Sequence, residues 1–316
     1  MRENRHVDAT GIGSLPGEDF AAAARFVVDT FGPDDVVFVP ELPDRGAPAG
    51  MIGRTAGILP LPIDLQPAGW RLAPGEGMDQ RRARSLLRAD LDVLEETVGE
   101  ESIRIKQQLT GPLTLAATTE LPRGGKALGD HGARRELAEA LAEAAREQVG
   151  QLRRRFDGEP VIQVDEPAAP AVLAGRVPTA SGFGRHRSVD APIADALLRV
   201  VTSAVREAGG RPVVHCCAAD VPVDLFAGAG FAAIAFDAGP VGPGDDWARV
   251  FEDGTDLWFG TSDPRRVEEF MGRLGFESAS YVDRSAVTPP CGLAGQSAAG
   301  AREELHRVVS AARSLG

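Results

Sequence analysis

The chain has 316 residues, of which 43% are hydrophobic and 25% charged, and its net charge is −12. Such a composition belongs to a globular protein with a sizeable core. The acidic balance argues against nucleic acid as a partner, because phosphate binding relies on clustered Lys and Arg. No apolar run approaches a membrane span, and the opening residues MRENRHVDAT lack a signal-peptide core, so a cytoplasmic location and no membrane partner are expected.

In chain order, a first strand is predicted over residues 7–12, ending at Gly13-Ser14-Leu15-Pro16-Gly17, and an Ala-rich helix over 21–30. A second strand over 36–39 ends at Pro40-Glu41-Leu42-Pro43. Residues 44–76, rich in Gly and Pro, read as a long loop excursion, a feature that is usually functional or mobile. A helix over 78–98 and a strand over 103–109 lead to Thr110-Gly111-Pro112. The helical run 134–156 ends on Arg153-Arg154-Arg155, a cluster that suits a helix C-terminus. Strand 161–164 then meets Asp165-Glu166-Pro167. Helix 191–208 precedes strand 212–214, which runs into His215-Cys216-Cys217. A short helix near 220–228 leads to strand 232–236 and Asp237. Another, near 244–252, leads to strand 257–259 and Gly260-Thr261-Ser262-Asp263. Helix 264–274, strand 285–288 with Pro289-Pro290-Cys291-Gly292 after it, and helix 297–314 complete the chain.

Eight strands, each followed by a loop and helical material, predict parallel pairing and closure into a single (β/α)₈ TIM-type barrel of the α/β class over residues 1–316. A doubly wound open sheet is the alternative, but no G-x-G-x-x-G turn follows the first strand. Almost every polar cluster falls directly after a strand, where barrel enzymes place their active sites.

Three cysteines do not make a disulfide framework, and near a histidine they read as metal ligands or catalytic thiols. His215 and Cys217 stand two apart at a strand end, so both can face the barrel axis while Cys216 faces outward. Cys291 follows the eighth strand and Asp237 ends the sixth. An imidazole, two thiolates and a carboxylate suit a tetrahedral Zn2+ site. H-x-C alone is more often packing than ligation; a third cysteine at another strand end shifts the balance. Sulfur-rich ligation favours a zinc-bound substrate thiolate as nucleophile over hydrolysis.

Taken together, Ile12-Gly13-Ser14-Leu15-Pro16, Leu109-Thr110-Gly111-Pro112, Gln163-Val164-Asp165-Glu166-Pro167-Ala168, His215-Cys216-Cys217 and Pro290-Cys291-Gly292-Leu293 resemble, in order, the C-terminal catalytic domain of cobalamin-independent methionine synthase. The resemblance spans the chain and implies methyl transfer to the thiol of zinc-bound homocysteine. It implies His215, Cys217, Asp237 and Cys291 as metal ligands, with Asp237 where the family has Glu. It also implies Ile12, Ser14 and Asp165 as holders of the homocysteine amino acid group, a role that a carboxylate, a hydroxyl and loop N–H groups can fill. Glu41 is a further candidate for the ammonium.

The family's folate-binding first barrel is absent from this chain. Its Trp-Ser pair after Thr-Gly-Pro is here Leu113-Thr114-Leu115-Ala116-Ala117-Thr118-Thr119, and its catalytic His after the seventh strand gives way to the stretch containing Asp263. Asp165 and Asp263 are the candidate catalytic residues. The methyl donor is either methyltetrahydrofolate or a methylcorrinoid, the latter on a carrier protein. Two other readings stay open: a degenerate paralogue that binds zinc or a thiol without turnover, and a metal-free barrel enzyme like uroporphyrinogen decarboxylase. Trp70 either covers the barrel mouth or anchors the excursion. His6, His131, His186 and His306 read as surface or structural.

Overall fold

The computed structural model describes residues 6–315. Its eight barrel strands are β1 (Asp8–Ala9), β2 (Val36–Phe38), β3 (Arg104–Thr110), β4 (Val161–Asp165), β5 (Arg211–Cys216), β6 (Ala233–Asp237), β7 (Asp256–Gly260) and β8 (Ser285–Thr288). All pair in parallel, running β2-β3-β4-β5-β6-β7-β8-β1. The predicted (β/α)₈ barrel is the fold. β1 and β2 form no ladder; the seam between them closes just beyond their ends. There Leu15 N–H donates to the Glu41 carbonyl at 2.8 Å and Glu41 N–H to the Gly13 carbonyl at 3.0 Å. Gly13 turns there at φ +152°, in the region that favours glycine.

The helices are α1 (Phe20–Thr30), α2 (Met51–Ile58), α3 (Met78–Val98), α4 (Pro112–Thr118), α5 (His131–Arg155), α6 (Ala169–Leu173), α7 (Ala191–Glu207), α8 (Val223–Gly228), α9 (Asp245–Glu252), α10 (Pro264–Arg273), α11 (Ser278–Tyr281) and α12 (Ala298–Ser314). Four begin on a side chain that accepts a backbone N–H of the first turn: Asp19, Asp130, Asp263 and Ser297. Along α5, Leu137, Leu141, Val149 and Leu152 recur at helical spacing and are buried, so one face lies on the barrel while the other is charged. Its last turn carries Arg153, Arg154 and Arg155; Arg153 donates to the Ala208 carbonyl at 3.0 Å and Arg155 pairs with Asp92 and Glu95. Among the described residues no helix is long and apolar enough to cross a membrane.

Residues 44–76 are not a structureless excursion. They hold two 3-10 turns, α2 and an antiparallel hairpin pairing Ile63–Gln66 with Gly69–Leu72. Glu120 extends the hairpin, exchanging backbone bonds with Trp70 and Leu72 at 2.9 and 2.8 Å. Trp70 is buried against Ala56 and Ile63, so it anchors this segment and does not roof the mouth. On the barrel side, Thr55 Oγ1 of α2 accepts Thr110 N–H at 2.8 Å, and Thr110 Oγ1 donates to the Met51 carbonyl at 2.9 Å. The excursion is therefore part of the mouth wall.

Inside the barrel, strand alternation separates two layers. Val36, Val161, Val213, Ala233, Ala235, Trp258 and Ala286 pack together as a small apolar plug. On the same faces, further toward the strand C-termini, come Lys106, Gln108, Gln163, Asp165 and His215, all buried. The register aligns Thr110 with Asp165 and Asp165 with His215, so three sequence motifs stand side by side.

Candidate functional site

The strand ends are laced to one another. Gly111 N–H donates to the Asp165 carbonyl at 2.8 Å, and Glu166 N–H to the His215 carbonyl at 2.9 Å. Asp165 and Glu166 are neighbours on an extended chain and so face opposite ways. Asp165 enters the barrel. Glu166 turns outward and accepts from Leu113 N–H, Thr114 N–H and Thr114 Oγ1 at 2.8, 2.9 and 2.7 Å, closing the start of α4. Burial still pushes its carboxyl up to about 7, against the pull of those bonds.

The motif glycines are explained by this packing. A methyl group on Gly111 would sit 2.3 Å from Glu166 Oε1, and one on Gly292 would sit 2.1 Å from Ser14 Oγ. Ser14 is thereby seated beside the Cys291 loop, and its carbonyl accepts Leu293 N–H at 2.8 Å.

Cys217 and Cys291, 74 positions apart, meet with their sulfurs 3.4 Å from one another. A disulfide needs ~2.05 Å, and two sulfurs sharing a tetrahedral zinc stand roughly 3.8 Å apart, so the pair is a thiol contact closer to the second spacing. The bond to Cys217 draws the Cys291 thiol down to about 6, with help from the nearby His215, and the same contact pushes Cys217 up. Cys216 lies in the apolar layer between barrel and helices, as its parity predicts, and burial raises its thiol to about 12.

His215 is buried and its two nitrogens differ. Nδ1 meets Asp165 Oδ1 at 2.9 Å, while Nε2 is buried with no hydrogen-bond partner. A buried polar atom left without a partner is costly unless something binds it. Asp165 Oδ1 also accepts Gln163 Nε2 at 2.8 Å.

Asp237 has the same inward parity as Ala233 and Ala235, but its Oδ1 accepts Gly239 N–H at 2.8 Å in a tight turn. Among the described residues, no group of three or more His, Cys, Asp and Glu side chains is drawn together closely enough to hold a metal ion. The four expected ligands are thus not an assembled set. A sulfur pair and an imidazole with an unused nitrogen suit zinc, whereas Asp237 is turned to local work.

Asp263 is placed differently from the expectation of a catalytic acid. It caps α10 and holds Arg265, with Oδ1 accepting Nε at 3.0 Å and Oδ2 accepting Nη2 at 2.9 Å. Those bonds keep its carboxyl below the usual range, so it stands as an anion with no proton to give. It lines an open cavity of about 620 Å³ together with Arg265, Arg266 and Glu269.

The remaining expected residues converge on the mouth. The Ile12 carbonyl accepts Lys106 Nζ at 3.0 Å and Gln163 Nε2 at 2.9 Å. Glu41 is buried, with Arg54 Nε 3.3 Å from its Oε1. Burial pushes Glu41 up to about 7; Arg54 and Lys106 oppose that rise and Asp165 adds to it. Lys106, fully enclosed, is pushed down to about 7 by burial, against the attraction of Asp165 and Glu41. Its Nζ also donates to Gln163 Oε1 at 2.5 Å.

Lys106, Gln163, Glu166 and Arg54 were not singled out from the sequence as site residues. The signal for the first was present: Lys106-Gln107-Gln108 sits in the middle of a strand that a parallel barrel buries on both faces, where apolar residues are the rule. Arg54 gave none. Of the other histidines, His131 Nδ1 is 2.8 Å from Arg134 and His306 packs edge-on against Phe26.

No protein-family model matches the chain, and no curated protein matches it. Among solved structures, a B12-independent methionine synthase from Shewanella sp. W3-18-1, in complex with selenomethionine, is similar at 16% identity and TM-score 0.48, over 71% of this chain and 64% of that one. This chain therefore spans less than two thirds of that synthase's length. A methylaspartate ammonia lyase from Clostridium tetanomorphum is similar at 13% identity and TM-score 0.45, over 98% of this chain and 58% of that one. A 2,3-dimethylmalate lyase is similar at 12% identity and TM-score 0.36, over 95% and 83%. Likenesses at this level do not assign chemistry.

Proposed function

We propose that this chain is a barrel enzyme that methylates a small thiol, homocysteine foremost, at a zinc ion held in the barrel mouth. The observation that carries the reading is the meeting of Cys217 and Cys291 from distant strand ends, 3.4 Å apart, with His215, whose Nε2 is buried and unused, two positions before Cys217 in the chain. His215, Cys217 and Cys291 would hold the ion, and Asp237 would join them on releasing Gly239. Bound zinc supplies a substrate thiolate at neutral pH.

The protein's own groups do the rest. Asp165 Oδ1 is filled by His215 and Gln163, while Glu41 lies beside it in the same enclosure; these carboxylates suit the ammonium of an amino acid substrate. Ser14, against the Cys291 loop, suits its carboxylate. In the transfer the thiol has lost its proton, the S–CH₃ bond forms, and the donor–CH₃ bond breaks with its electron pair leaving on the donor. Orientation in a closed mouth accounts for much of such a rate. Asp263, as an anion, would not protonate a departing folate nitrogen, which favours a methylcorrinoid over methyltetrahydrofolate as donor.

Zinc content of the purified protein, with methionine formation from homocysteine and each donor, tests the reading. About one zinc per chain, lost in Cys291→Ser, is expected. A wild-type protein that takes up no zinc would sink it. The engagement of Asp237 with Gly239 favours one rival, a zinc- and thiol-binding protein without turnover; binding of both ligands with no methionine from any donor would establish that instead.

A further inference from the structure

Arg54 is buried on α2 with two of its donor atoms uncommitted, and the group they stand beside is Glu41. Nη1 donates to the Pro40 carbonyl at 3.3 Å and lies 3.6 Å from Asp90 Oδ2, while Arg45 grips both oxygens of Asp90 at 2.8 and 2.7 Å. Nε and Nη2 are buried without a hydrogen-bond partner. These two atoms form one edge of the guanidinium, the edge that Arg265 sets on both oxygens of Asp263. In Arg54, Nε stands 3.3 Å from Glu41 Oε1 and is not aligned on it. Buried donors without partners are costly, so their persistence beside a carboxylate asks for a functional reason.

The helix that carries Arg54 is closely seated. A methyl group on Gly53 would sit 2.0 Å from the Ala47 carbonyl oxygen, and one on Gly57 2.8 Å from Ala83 Cβ, so α2 lies hard against the turn before it and against α3. Thr55 ties the same helix to β3. Among the described residues Glu41 accepts no hydrogen bond; the charges that reach it are Arg54, Asp165 and Lys106. Asp165 repels it, and Lys106 is itself pushed down to about 7 by burial. A guanidinium keeps its charge across this range, so Arg54 is the constant attraction. We infer that Arg54 is the positioning residue for Glu41: carried on α2, it holds that carboxylate in place as the seat of a substrate ammonium. Arg54 acts through Glu41 and touches no substrate itself. A lysine, with its single nitrogen, could not serve Pro40, Asp90 and Glu41 from one fixed plane.

This inference rests on the reading of the mouth as an amino acid thiol site. Its test compares homocysteine with 4-sulfanylbutanoate, which has the same thiol and carboxylate but no amino group. In Arg54→Met the preference of the zinc-loaded enzyme for homocysteine, as a ratio of kcat/KM values, should fall roughly 10- to 100-fold, the worth of one hydrogen bond to a charged group. The loss should lie in KM. Arg54→Lys, which keeps the charge, should recover part of it, and Arg54→Met combined with Glu41→Gln should be no worse than either alone. A folded Arg54→Met enzyme that slows with both thiols alike, or with neither, overturns the inference, since the packing of α2 cannot tell the two apart. Should that variant not fold, Arg54→Lys decides: its preference should fall several-fold, and an unchanged preference overturns the inference. A wild-type protein that methylates neither thiol with any donor overturns the functional reading instead. The ¹³C signal of the Glu41 carboxyl, identified with Glu41→Gln, then judges Arg54 alone. Its proton affinity, with a midpoint of about 7 in wild type, should rise about tenfold or more in Arg54→Met, and an unmoved midpoint overturns the link between the two residues.

Discussion

Replacing Glu41 by Gln gives a test whose size can be worked from the barrel mouth. Gln keeps the shape and an oxygen for Arg54 while removing the ionisable group. Burial raises the Glu41 carboxyl from 4.5 to about 7 in the folded protein. Between those values the folded chain holds a proton that the unfolded chain has released. A raised carboxyl pKa therefore means stability lost as pH rises: the penalty is absent below about pH 4.5, grows through the window, and is complete above about pH 7. At ~1.4 kcal/mol for each tenfold change in proton affinity, the whole window is worth about 3 kcal/mol. Lys106 titrates on the other side: with its folded pKa lowered from 10.5 to about 7, its penalty is complete below about pH 7 and is relieved above it, so it barely changes inside the Glu41 window. Urea unfolding at pH 5 and pH 7.5 should show wild type losing about 2–3 kcal/mol more than Glu41→Gln over that interval. Parallel stability curves for the two proteins would refute the account of a desolvated carboxylate in the mouth.

Gly111→Ala should destabilise the fold by about 3 kcal/mol, because the new methyl group displaces a carboxylate holding three hydrogen bonds of about 1 kcal/mol each. The backbone at φ −71° tolerates alanine, so urea unfolding reads the steric term alone, and an unchanged midpoint would count against it. In metal-free protein, modification of Cys291 by a thiol reagent should speed up through pH 6. In Cys217→Ala, which removes the bond that lowers it, the midpoint should move up toward 9, and an unmoved midpoint would show the sulfur contact to be inert.

Much of the architecture was legible because a parallel barrel repeats one grammar: a short apolar run, a polar turn, an amphipathic helix. Helix 78–98 and strand 285–288 coincide with α3 and β8. What escaped was structure that has no period of its own. The hairpin at Ile63–Gln66 and Gly69–Leu72 is held by Glu120, far along the chain, and α4 is a seven-residue helix closed by Glu166. The site divides similarly. Parity placed His215 and Cys217 on the inner face and Cys216 on the outer, because strand geometry fixes direction. It could not foresee that Asp237, on the inner face, would bend back to Gly239, since a rotamer answers to the nearest free N–H. Nor could the place of Asp263 after a strand reveal that Arg265 would claim it.

The seam between β1 and β2 bears on how the mouth can respond to being filled. Elsewhere each strand is knitted to its neighbours along its length, yet among the described residues these two share backbone bonds only where Gly13 and Leu15 meet Glu41. Two of the side chains suited to grip an amino acid, Ser14 and Glu41, thus sit on opposite lips of the weakest stitch in the wall. A ligand bridging them acts as a clasp, and the slowing of amide exchange it brings at Leu15 and Glu41 should exceed that anywhere on the far side of the cylinder.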